Sequence, residues 1–383
     1  RLGSVRLPSS LTIAADGISS ITQYSWNFDD PNAGGTNANT DVLMKPTHFY
    51  TQSKAYAPKL SVTSNFGCQS PEVSKPVNVG ALPVVNFSQT GVSVQDSIAI
   101  TNLSTVPSDA ALNDGLAKLV MQFGDGTQDS VRTSSFNLPF KHPYALPGAE
   151  MLNLIVTSKL GCVESYAKQI VVLKHVGLQN ATAYGEEFKV NGGDWQHLAD
   201  STSANLADSW QYVSSSALGS GYWKTNDANG SFTAGEKSYL FSPTFNLDSL
   251  TRPMLSFDSY IQLGQGDGVV IEYSTDNLNV VDKNKVWKTL GNYNAGKSSG
   301  VAWYNAQSLP SRPGQEQTGF GWTGSDVNQW QQSKHALVSS TGNVLKGNNV
   351  AFRIALVGLS STSVPGFAID NFRLGNRTRT VLL

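Results

Sequence analysis

Charge is scarce in this chain. Lys, Arg, Asp and Glu make up 14% of its 383 residues, 27 basic side chains against 28 acidic ones, where an average soluble chain carries roughly 25% charged residues. A near-neutral balance provides no electrostatic grip on nucleic acid or on an anionic membrane, so neither is expected as a partner. No apolar run approaches the roughly 18 residues of a membrane-spanning helix, so no direct span is expected. Cysteine is scarcer still. Cys68 and Cys162 have no CxxC partner and no nearby histidine, which excludes a disulfide framework and argues against a zinc or dithiol site. The chain opens on Arg1 without a basic segment leading into an apolar one, so any export signal is expected outside it.

The hallmarks of catalysis are missing too. There are five histidines, and no G-x-S-x-G elbow, no H-E-x-x-H pair and no E-x-D-x-x-E carboxylate set. Gly264-Gln265-Gly266-Asp267-Gly268 lacks the helix and lysine of a phosphate loop and reads as a hairpin turn. The chain is therefore expected not to be an enzyme.

What the sequence does hold is a repeat with a period of about 94 residues. Tyr24-Ser25-Trp26-Asn27-Phe28-Asp29-Asp30 returns as Leu119-Val120-Met121-Gln122-Phe123-Gly124-Asp125-Gly126. His48-Phe49-Tyr50 returns as His142-Pro143-Tyr144, and the Val-rich segment ending at Gly67-Cys68 returns ending at Gly161-Cys162. Short alternating runs between Gly, Asn, Asp and Pro clusters predict antiparallel strands of a sandwich. Phe28, Tyr50, Phe123 and Tyr144 are expected in the cores, Trp26 between sheets, and Asp125 as a turn-former. Cysteines at equivalent repeat positions stand about one domain apart, too far for a mutual bridge, and are expected as buried free thiols.

From about Ala183 the texture changes, and seven of the eight tryptophans lie beyond that point. Strands are expected at 187–190, 238–241, 254–263, 268–274, 285–290, 334–339, 349–357 and 366–374. The 292–332 stretch is rich in Gly, Ser, Asn and Gln, and a loop that long is more often functional than idle. Trp303, Trp322 and Trp330 stand in it and are the candidate ligand-binding residues, since an exposed indole stacks on sugar rings and anchors protein interfaces. At least half of the seven tryptophans are expected to cover the core instead.

The order Phe-Gly-Asp-Gly, His-x-Tyr, then a Val-rich strand resembles tandem PKD-type (polycystic-kidney-disease) immunoglobulin-like repeats. The first copy departs from it, with Asp29-Asp30-Pro31 in place of Gly-Asp-Gly. Farther on, Tyr239-Leu240-Phe241-Ser242-Pro243, Val269-Val270-Ile271-Glu272-Tyr273-Ser274, Val350-Ala351-Phe352-Arg353-Ile354 and Gly366-Phe367-Ala368-Ile369-Asp370-Asn371-Phe372 resemble a MAM-like, concanavalin-type jelly-roll domain. Both occur in secreted or cell-surface multidomain proteins of Bacteroidetes. The resemblance implies an all-β fold: an N-terminally incomplete PKD-like repeat at 1–80, a second at 81–176, a jelly roll at 183–376, and the start of a following segment at 377–383. It also implies a structural Ca2+ near Asp370, and an extracellular or cell-surface location. The function expected is non-catalytic binding, adhesion or scaffolding toward a surface glycan or protein partner. The alternatives are an accessory carbohydrate-binding region of a secreted hydrolase and a structural subunit of an outer-surface assembly.

Overall fold

The computed structural model describes residues 4–5, 18–91, 93–94, 97–132, 135–178, 183–200, 206–215, 220–226, 233–275, 287–293, 300–324, 327–359 and 364–377. Residues 6–17 and 179–182, the 285–286 start of the strand expected at 285–290, and residues 378–383 of the expected following segment lie outside the described residues. The chain is all-β, with two immunoglobulin-like β-sandwiches followed by a larger jelly-roll β-sandwich. A 3-10 turn at Ala110–Leu112 interrupts the strands of the second unit.

The first unit contains β1 (Ser4–Val5), β2 (Ile21–Asn27), β3 (Thr40–Asp41), β4 (His48–Phe49), β5 (Lys54–Tyr56), β6 (Lys59–Ser64), β7 (Val73–Ser74) and β8 (Val77–Val79). Its main sheet runs β3-β2-β6-β7 over a core of Trp26, Phe28, Tyr50, Tyr56, Leu60 and Val62. The second unit contains β9 (Phe87–Thr90), β10 (Ile98–Asn102), β11 (Leu116–Gln122), β12 (Gln128–Arg132), β13 (Phe140–His142), β14 (Gly148–Ser158) and β15 (Val163–Val172). Sheets β12-β11-β14-β15 and β13-β10-β9 close on each other. Alternate residues Leu152, Leu154 and Val156 of β14 fill the core with no exposure, as the two-residue period of a strand requires.

The repeat motif builds the same turn in both units. Asp125 Oδ1 accepts the Thr127 amide at 3.0 Å and its hydroxyl at 2.6 Å, while Oδ2 meets His142 Nε2 at 2.7 Å. The His142 ring stacks 4.1 Å from Phe123, and the Tyr144 hydroxyl donates to the Phe123 carbonyl at 2.6 Å. Burial opposes ionisation of Asp125, but the Thr127 hydroxyl and amide, together with His142, outweigh it and hold the carboxyl below the usual carboxylate range. In the first unit Asp29 takes the place of Gly124, adopting a left-handed φ of +59° against +93° for the glycine. Aspartate tolerates that region better than most side chains, and Asp29 Oδ2 accepts the Ala57 amide at 2.9 Å. Asp30 then meets His48 Nε2 at 2.9 Å, and Tyr50 donates to the Phe28 carbonyl, so the turn survives the loss of both glycines.

Neither cysteine is buried. Cys68 is exposed and Cys162 half-buried, both free, because each follows a left-handed glycine, Gly67 or Gly161, where the chain turns out of a long strand at the surface.

The jelly roll contains β16 (His175–Gly177), β17 (Tyr184–Glu186), β18 (Gln196–Ala199), β19 (Trp210–Ser215), β20 (Ser220–Thr225), β21 (Lys237–Asn246), β22 (Pro253–Gln262), β23 (Gly268–Ser274), β24 (Lys288–Thr289), β25 (Gly300–Val301), β26 (Val327–Ala336), β27 (Val350–Val357) and β28 (Gly366–Asn376). One sheet runs β16-β21-β27-β23-β24 with β18 beside β21; the other runs β19-β20-β28-β22-β26-β25 with β17 beside β28. The turn at 264–268 is not a hairpin: it carries the chain from β22 in one sheet to β23 in the other. No strand forms at 187–190, where Phe188 sits at φ +44°; β17 pairs with β28 just before it.

Strand β22 alternates buried and half-buried residues throughout, whereas every residue of β23 and β27 is buried. Those two strands are covered on both faces. The outer face of β23 lies beneath the loop carrying Gln315 and Glu316: Glu272 accepts the Gln315 amide, and the two loop side chains accept the Trp287 and Thr289 amides at 3.0 and 2.7 Å.

On the opposite sheet His335 is 1% exposed and packs 4.6 Å from the Trp303 ring. Burial pushes its pKa down, while the Ala336 carbonyl at Nδ1 works the other way. A histidine kept neutral by folding takes up its proton first in the unfolded chain. Stability should therefore be full above the unfolded pKa of about 6.5 and fall with acidification below it, by at most about 1.4 kcal/mol per pH unit. Thermal melts of His335→Gln between pH 7 and 5 should show a shallower decline than the parent; an unchanged decline would assign the acid sensitivity to other groups.

Candidate functional site

The structure separates the three candidate tryptophans. Trp303 and Trp322 are 4% and 1% exposed. They are core residues, not surface handles. Trp322 packs against Phe257, Trp303, Tyr304 and Phe367 at centroid distances of 4.7–5.9 Å. Their polar-looking segment is drawn inward because its backbone pairs with the fold: Trp322 bridges Val269 and Gly321 bridges Ala306.

Trp330 is different. At 37% exposure it stands apart from the other six tryptophans of the jelly roll, none of which exceeds 8%. It lies on β26, among residues whose neighbours Ser333 and His335 point into the sandwich. The period of two places Trp330, Gln332 and Lys334 on the outer face. On β22, Phe257, Ser259 and Ile261 face inward, so Asp258 and Tyr260 share that outer face; on β20 inward Trp223 does the same for Tyr222. The rings converge: Trp330 lies 5.6 Å from Tyr222, edge-on at 78°, and 5.8 Å from Tyr260, tilted by 53°. Ala368 on the intervening strand β28 pairs with Tyr260 on one side and Lys224 on the other. Its small side chain leaves room for the rings to meet above it.

Polar groups adjoin the rings. Asp258 is paired with Gln332 on β26 and with Asp370 on β28. Asp370 is 8% exposed, and its Oδ1 accepts the Asn371 amide at 2.6 Å. Asn371, at φ +52°, sits where the β22–β28 register shifts, and its Nδ2 donates to Asp258 Oδ2 at 2.8 Å. Among the described residues no group of three or more His, Cys, Asp or Glu side chains converges, so a cation here would draw most of its ligands from other oxygens.

A groove of about 460 Å³ opens at one end of the sandwich, between Gln265, Asn305, Pro310 and Thr323. Its polar lining is largely satisfied from within. Asn305 exchanges two hydrogen bonds with the Thr323 backbone, and the Thr323 hydroxyl donates to the Asp267 carbonyl at 2.6 Å. The aromatic face is the better candidate.

Tyr222, Tyr260 and Asp258 are absent from the residues singled out in the sequence. The run Phe257-Asp258-Ser259-Tyr260 carries the signal for two of them, since its alternation sets Asp258 and Tyr260 opposite Phe257. Trp330 could be joined to them only by knowing that β26 neighbours β22.

No protein-family profile matches the chain, and no curated protein does. Solved structures similar to it include the PKD1 domain of Vibrio anguillarum Epp, 21% identical over 24% of this chain and 95% of that one, with a TM-score of 0.20. The K1 cleaved adhesin domain of Lys-gingipain from Porphyromonas gingivalis W83 is 11% identical over 52% of this chain and all (100%) of that one, with a TM-score of 0.30. The mannan-recognising carbohydrate-binding module TmCBM27 is 15% identical over 52% of this chain and 100% of that one, with a TM-score of 0.26. Similarities this low assign no activity to this chain.

Proposed function

We propose that this chain is a non-catalytic extracellular binding region, organised as two PKD-like units followed by a MAM-like jelly roll whose sheet begins with β16, which recognises a surface glycan through the outer face of β20, β28, β22 and β26. The observation that carries the reading is the exposure of Trp330 where the other six tryptophans are buried. A large indole left on an open sheet face beside two tyrosines is a recognition feature, because its face covers the C–H side of a sugar ring. Asp258 and Gln332 stand beside it with the acceptors and donors that hydroxyls need.

The second sheet offers no comparable surface, since its central strands are covered on both sides. Calcium belongs to the same proposal: Asp370 and Asp258 would supply hard carboxylate oxygens of the kind it takes.

A glycan array probed with the full chain, in calcium and in chelator, tests this. Binding should weaken about tenfold or more in Trp330→Ala, as for an interface anchor, while the melting temperature stays close to the parent's, as for a surface substitution. Sugar binding that survives Trp330→Ala would overturn the site. An array silent in both conditions would overturn the glycan and favour a protein partner.

A further inference from the structure

We infer that the second immunoglobulin-like unit and the jelly roll form one rigid arm, locked through the outer face of the six-stranded sheet, so that the Trp330 face is held pointing away from the unit that carries it. The chain passes between the two without a slack segment. β15 ends at Val172, Leu173 accepts the Val94 amide at 2.9 Å within the second unit, and Lys174 accepts the Thr244 amide at 2.8 Å within the jelly roll. His175 to Gly177 then join the jelly-roll sheet as β16, parallel to β21. Residues 173–177 are thus hydrogen-bonded first to one unit and then to the other.

Side chains close the joint. Val171 and Leu173, 6% and 0% exposed, pack in one cluster with Phe241, Trp287 and Ala351 of the jelly roll. Ser93, wholly buried, lies 3.4 Å from the Thr244 hydroxyl, and Lys174 pairs with Asp194 at 2.7 Å. Phe241 and Ala351 lie on strands β21 and β27, and beside them Arg353 is gripped by Tyr239 and Trp287, its guanidinium 3.8 and 4.4 Å from their ring centroids. The indole is thereby fixed at the spot where the second unit docks. Relative motion is the default between units unless an apolar interface joins them; here one does. Because this contact occupies the outer face of one sheet, the aromatic face on the other sheet looks the opposite way.

Distance measurement by spin labels tests the joint in the full chain. With Cys68→Ser and Cys162→Ser as background, labels at Gln169→Cys and Thr341→Cys, both exposed in the parent, should give one narrow distance distribution. Trp287→Ala and, separately, Leu173→Ala should each lose the narrow peak and broaden it. Trp287 is 8% exposed at the edge of its sheet, so its truncation keeps the test open should Leu173→Ala disturb the second unit. A broad distribution in the parent would overturn the rigid arm. A peak that stays narrow in both variants would overturn the apolar lock.

Discussion

Glu272→Ala is expected to destabilise the jelly roll by about 3–5 kcal/mol, the range seen when one partner of a buried ion pair is removed. The carboxylate has no exposure, and its Oε2 receives both Nε and Nη2 of Arg353 at 2.7 Å. Its other oxygen accepts the Gln315 amide, which tethers the covering loop. Truncation leaves a guanidinium stranded between Tyr239 and Trp287 in a site closed to water, along with an unpaired backbone N–H. Arg353→Met should cost a similar amount for the mirrored reason, a buried carboxylate with no counter-charge. Glu272→Gln keeps an acceptor for Gln315 and should cost less than Glu272→Ala. The double variant Glu272→Leu with Arg353→Met should lose clearly less than the sum of the single changes, because apolar replacement removes both desolvation penalties together. With seven of eight tryptophans in this part of the chain, denaturant unfolding followed by indole fluorescence reports it selectively. Additive losses would show that the two groups do not act as a pair.

That pair also marks the limit of what the sequence reveals. In Val-Val-Ile-Glu-Tyr and Phe-Arg-Ile the alternation sets Glu272 and Arg353 opposite the apolar residues, which for an isolated sandwich means facing water. They are buried because the second unit and the 309–316 segment cover that face, a fact of long-range assembly with no local signature. Where the pattern concerns a single strand or a nearby turn, the sequence serves well. The alternation of β22 and the repeated Phe, His and Tyr positions all fold as their spacing suggests. The Asp–His pairs of the two turns join residues 17 and 18 positions apart and are invisible to periodicity, although the repeat had already brought both members forward. The tryptophans divide the same way. Gly, Ser and Asn around Trp303 and Trp322 describe a loop's composition, not its depth, and it is the backbone bridges to Val269 and between Ala306 and Gly321 that carry the rings inside.

Trp322→Ala should accordingly cost about 3–5 kcal/mol, as expected for emptying a large aromatic side chain from a packed core. Four aromatic neighbours lie against this ring, and its Nε1 reaches the Ala302 carbonyl at 3.4 Å, so partial collapse cannot refill the space without moving the segment that Trp322 anchors. Trp322→Phe leaves a smaller void and should recover part of the loss. The comparison with Trp330→Ala separates folding from recognition. Truncation at 322 should lower the melting temperature markedly and reduce glycan binding only as the folded fraction falls, while truncation at 330 should weaken binding about tenfold or more in a protein that melts like the parent. Measured at a temperature where the Trp322→Ala chain is still folded, its affinity should equal that of the parent. A folded Trp322→Ala protein with weakened binding would mean that the buried aromatic cluster shapes the face that Trp330 presents, transmitted through Phe257 to its β22 neighbours Asp258 and Tyr260.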